Sequence, residues 1–87
     1  MPPRRQSTPR SPEHAALGEA IRLTRVERGL SQEALADATP VHITYLGGVE
    51  RGVRKPSYET VVRLARALGV APGALVTRAD ELLQAQP

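Results

Sequence analysis

Residues 30–52, LSQEALADATPVHITYLGGVERG, restrict what this chain can become more than any other part of it. They hold two short apolar patterns at helical spacing, separated by a brief break. In the first, over 31–38, Ser31 is placed to accept an N–H from the first turn, and Leu35 and Ala36 form the apolar face. The break is Thr39-Pro40-Val41. In the second, over 42–50, Leu46 and Val49 stand three apart on one face, with Val41 just ahead. Two short helices on so tight a turn form an angled pair, and both apolar faces need a scaffold to cover them.

The flanking sequence supplies that scaffold. A first helix is expected over 13–28, with Pro12 in its first turn and Leu17, Ala20, Ile21 and Thr24 as the inward stripe. Gly29 is placed to end it in the left-handed conformation, with Leu30 folding back. Leu23 and Val26 fall off the stripe, as scattered surface residues or as a subunit contact. A fourth helix starts after Ser57, presents Val61, Leu64, Ala65 and Leu68, and stops at Gly69. A fifth opens at Pro72 with Leu75 and Val76. A last segment, 79–86, takes Asp80 as its cap; its Leu82 and Leu83 pack on the first helix or meet a second subunit, the second being favoured. The organisation is an arm over 1–12, a helical domain over 13–78 and a helical tail over 79–87.

At 87 residues the chain suits one small domain. It has no cysteine, hence no disulfide framework and no thiolate metal site. Phe and Trp are absent and Tyr45 and Tyr58 are the only aromatics, which argues against a stacking platform for single strands. No apolar run approaches the ~20 residues of a membrane span, and the N-terminus lacks an apolar signal core. The net charge is +3, and all of it lies in the arm: residues 1–12 carry Arg4, Arg5 and Arg10 and no acid, while 13–87 balance nine basic against nine acidic side chains. Within that neutral portion Arg51, Arg54 and Lys55 cluster, a local patch able to bind phosphate. The arm, rich in proline and without apolar periodicity, is expected to be disordered when free, either as a solvated tail or as a strand tracking a nucleic-acid groove.

Catalytic constellations find no support. His14 and His42 fall on separate elements, no carboxylate stands beside a histidine at ligand spacing, and Gly47-Gly48 lacks the lysine and hydroxyl of a phosphate loop. No enzyme activity, cofactor or metal is expected.

Gly29-Leu30-Ser31-Gln32, Leu35-Ala36, Val41, Tyr45-Leu46, Val49-Glu50-Arg51-Gly52, Pro56-Ser57 and Leu64-Ala65-x-x-Leu68-Gly69-Val70 fall in one order and spacing over 17–76. This set resembles the phage-repressor-like helix-turn-helix family, the lambda repressor and Cro group, also called the xenobiotic-response-element type. The resemblance implies an all-α, compact five-helix bundle whose third helix reads double-stranded DNA. It further implies a cytoplasmic, nucleoid-associated bacterial or phage regulator, as a homodimer without a membrane or small-molecule domain. It pairs Arg25 with Glu50, holding the recognition helix on the first helix, and sets Gln32 against the DNA backbone and the start of the recognition helix. Pro40 stands where the family has glycine, and His42 replaces its serine or threonine cap.

On the expected recognition helix, His42, Ile43, Thr44, Gly47 and Gly48 remain for the outer face. His42, Ile43, Thr44 and Gly48 are the candidate base-reading positions; Gln32, Tyr45, Arg51, Arg54 and Lys55 are the candidate backbone contacts. No Arg, Lys, Asn or Gln lies between His42 and Val49, so the bidentate pairs that discriminate bases sharply are missing, and DNA shape or the arm has to supply part of the specificity. Gly47-Gly48 permits close approach of a duplex or marks a frayed helix end. The leading expectation is a sequence-specific transcriptional repressor or controller; the alternative is a protein-interaction module, antitoxin-like or coactivator-like, on the same fold.

Overall fold

The computed structural model describes residues 8–86, which form five helices: α1 (Pro12–Glu27), α2 (Gln32–Ala38), α3 (Ile43–Glu50), α4 (Tyr58–Leu68) and α5 (Pro72–Gln84). The caps are local and chemically ordinary. Ser11, Ser31 and Ser57 each accept a first-turn N–H, from His14, Ala34 and Thr60. Gly29 has φ 73°, and behind it the Leu30 N–H reaches back to the Arg25 carbonyl at 3.1 Å, closing α1 as expected.

One buried cluster draws on all five helices. Ile21 comes from α1, Leu35 and Ala36 from α2, Leu46 and Val49 from α3, Val61, Leu64, Ala65 and Leu68 from α4, and Leu75 from α5. A second, smaller cluster joins Ala16 and Ala20 of α1 to Ala79 of α5. Alanines there let the two helix backbones approach closely, and Leu17, Leu82 and Leu83 close over them. The tail therefore differs from the sequence expectation in two ways. α5 runs unbroken from Pro72 to Gln84, with Asp80 inside it rather than capping a new segment. Leu82 and Leu83 pack, half-buried, on α1, the less favoured of the two placements expected for them.

Thr24, the polar member of the inward stripe, is buried and fully satisfied. Its hydroxyl donates to the Ala20 carbonyl at 2.8 Å and accepts from Arg78 of α5 at 3.2 Å. The same guanidinium grips Glu27 through two hydrogen bonds, 2.8 and 2.6 Å, so one arginine bolts α5 to α1. The Arg78 hydrogen bonds hold the Glu27 carboxyl below the usual carboxylate range, and Arg22 does the same to Glu19 within α1.

Candidate nucleic-acid interface

The α2–α3 turn is set by main-chain bonds. The Val41 N–H donates to the Ala36 carbonyl at 2.8 Å, and the Thr39 hydroxyl to the Leu35 carbonyl at 2.6 Å. The described residues with positive φ are Gly29, Gly52 and Gly69, none of them in this turn, so the fixed φ of Pro40 fits without strain. His42 then caps α3. Its Nδ1 accepts the Thr44 N–H at 3.0 Å, which in the neutral ring leaves the proton on Nε2 as an exposed donor.

Leu46 and Val49 are buried as the spacing requires. Opposite them, His42, Ile43 and Thr44 are exposed, and Tyr45 is half-buried against the core. The far end of α3 is anchored by a polar network. Arg25 donates to Glu50 Oε2 and Oε1 at 2.7 and 3.1 Å, and to the Leu30 carbonyl at 2.9 Å. Gln32 Nε2 adds a third donor to Glu50 Oε1 at 2.9 Å. The Glu50 side chain is only 2% exposed and Arg25 12%, so this is a buried, multiply bonded pair. Gln32 thus joins the end of the recognition helix, not its start as the resemblance implied.

Two glycines frame this anchor, Gly52 from the motif and Gly18, which no sequence pattern singled out. Gly18 of α1 lies directly against the carbonyls of Val49 and Glu50, where a Cβ would collide. Gly52, at φ 79°, faces Ala15, whose Cα would lie 2.8 Å from an added Cβ. The Arg10 N–H donates to the Gly52 carbonyl at 2.8 Å and Ser11 caps α1, so the last residues of the expected arm are tied to the domain. The Arg10 side chain is exposed; Arg4 and Arg5 lie outside the described residues.

The glycine pair also departs from expectation. α3 is helical through Gly47 and Gly48, so its end is not frayed, yet neither glycine faces outward: both are buried. The Arg54 stem lies across Gly48, its Cγ in the space a Cβ would take. A Cβ at Gly47 would stand 3.2 Å from an Arg51 guanidinium nitrogen and 3.9 Å from the Gln32 amide oxygen. The close approach is thus made by the chain's own arginines, and Gly48 offers no reading surface itself. Arg51, Arg54 and Lys55 are exposed and form no ion pair among the described residues, in contrast to Arg22, Arg25 and Arg78. Beside them a hollow of about 640 Å³ opens between Ala15, Glu19, Arg22, Arg51, Leu82 and Gln86.

The chain and its fold have known relatives. A family profile described as helix-turn-helix matches residues 21–75. The control protein C.SmaI of Serratia marcescens is 42% identical over 62 residues, covering 71% of this chain and 74% of that protein. The control protein C.BamHI of Bacillus amyloliquefaciens is 38% identical over 56 residues, covering 63% and 69%. The crystal structure of the restriction-modification controller protein C.AhdI from Aeromonas hydrophila superposes with a TM-score of 0.74 at 38% identity, over 75% of this chain and 98% of that one. The chain belongs to the helix-turn-helix family of DNA-binding transcriptional regulators.

Proposed function

We propose that α3 enters the major groove of a duplex with His42, Ile43 and Thr44 at the base edges, while Gln32, Tyr45, Arg51, Arg54 and Lys55 hold the sugar–phosphate rails. The observation that carries this reading is the grouping of exposed, unpaired Arg51, Arg54 and Lys55 immediately after a helix whose first turn is exposed. Ile43 and the Thr44 methyl suit thymine methyl groups, and His42 Nε2–H suits a base or phosphate acceptor. The protein acts as a homodimer on a two-fold related site, because one helix of this length reads only a half-site. Its role is that of a repressor or controller working in the cytoplasm on nucleoid DNA, without catalysis, and the arm arginines Arg4, Arg5 and Arg10 add phosphate contacts beyond the domain.

Selection of bound sequences from a random duplex pool, followed by salt titration, tests the reading. The expected result is two half-sites about one helical turn apart, with log affinity falling by about 0.9 per neutralised phosphate against log salt. A slope near zero at low salt sinks it and favours the protein-interaction alternative.

A further inference from the structure

We infer that Arg54, carried on the connector rather than on α3, is the principal base reader of this interface, and that Gly48 is the notch that seats it. The inference rests on the DNA-binding reading above and replaces the backbone role given to Arg54 there.

The recognition helix lacks the side chains that discriminate bases best: Arg, Lys, Asn and Gln are absent from 42–49. Arg54 fills that gap geometrically. Its own N–H and that of Val53 both donate to the Gly48 carbonyl, at 3.2 and 2.9 Å, so the connector folds back over the last turn of α3. The side chain continues the same path, its Cγ occupying the place of a Gly48 Cβ. Residues four apart share a helix face, so the stem rests on the stripe that Thr44 presents one turn earlier. Thr44 is exposed, and the Arg54 guanidinium is neither hydrogen-bonded nor ion-paired among the described residues. With its stem already held, the fork has little freedom left to lose on binding. A guanidinium on the groove-facing side of α3 matches guanine O6 and N7 as a bidentate donor. Gly48 acts as a positioning residue: any Cβ there displaces the stem.

The experiment is duplex selection with the full chain and the variants Arg54→Ala, Arg54→Lys, Gly48→Ala and Gly48→Ala/Arg54→Ala, each checked for its helical circular dichroism. Wild type should prefer a G·C pair at one position of each half-site, and replacing that pair should weaken binding about ten- to a hundredfold. Arg54→Ala should erase the preference at that pair alone. Arg54→Lys should keep the salt slope and lose most of the discrimination. Gly48→Ala should lose the same preference, and should change nothing further once Arg54 is alanine. Uniform weakening on every duplex by Arg54→Ala, or an intact guanine preference in Gly48→Ala, overturns the inference while leaving the DNA-binding reading in place. Failure of wild type to enrich any duplex overturns both.

Discussion

Two charged sets border α3, a buried ion pair and an exposed cationic cluster, and guanidinium chemistry serves opposite ends in them. On the α1 side, Arg25 is sunk against Glu50 with its donors directed at the carboxylate and the Leu30 carbonyl. On the connector side, Arg51, Arg54 and Lys55 stand exposed with no carboxylate partner among the described residues. The first set has lost its charge to the outside and fixes where α3 points. The second leaves its charge facing solvent, with no carboxylate drawn to it. A neutral total for residues 13–87 conceals this, because composition counts charges and not which of them are already answered.

Removing one member of the buried set should produce the largest effect. Glu50→Ala strands the Arg25 guanidinium and should cost on the order of 3–5 kcal/mol, a large share of the stability of so small a domain; an unchanged melting temperature would dissolve the contrast. Next in size, Gly18→Ala pushes a methyl into the Val49 and Glu50 carbonyls. Overpacking of about 1–3 kcal/mol should outweigh the helix propensity of alanine, worth up to ~1 kcal/mol, and thermal unfolding measures which wins. Arg51→Ala with Lys55→Ala should leave melting untouched and flatten the salt slope by about 1.8 if each neutralises one phosphate; a stability loss without a change of slope would merge the two sets into one. The smallest effect is acid sensitivity. Glu27 and Glu19 are held below the usual carboxylate range by Arg78 and Arg22, so their contribution is complete above the unfolded pKa and drains away as pH falls through the lower folded values. The melting temperature of wild type should therefore decline more steeply in acid than that of an Arg22→Ala/Arg78→Ala variant.

What could be read from the residue string was what depends on near neighbours. Serine caps, the left-handed Gly29, and the inward Leu46 and Val49 are decided within one or two turns, and the structure has them where spacing placed them. The Arg25–Glu50 bond came from family resemblance, since nothing local joins residues 25 apart. Contacts with main chain left no trace: Gly18 is required by carbonyls some thirty positions away, and no apolar pattern records it. Asp80 lies inside α5 because Leu75, Ala79 and Leu82 continue one helical stripe through it, which outweighs its local capping tendency. The glycine pair, expected either to admit a duplex closely or to mark a frayed end, is instead covered by the chain's own arginines, Arg54 lying across Gly48 from six residues downstream.

The tie from the Arg10 amide to Gly52, and the hollow that Gln86 shares with Arg51, bring both ends of the described chain to the last turn of α3. On the proposed DNA-binding reading, a label attached at Arg10 or Gln86 is thereby carried at the rim of the docking face, where a bulky one obstructs and a small fluorophore reports arrival of a duplex. Cargo that must stay clear of that rim belongs instead beside Gly73, which has open space around it at the entrance to α5.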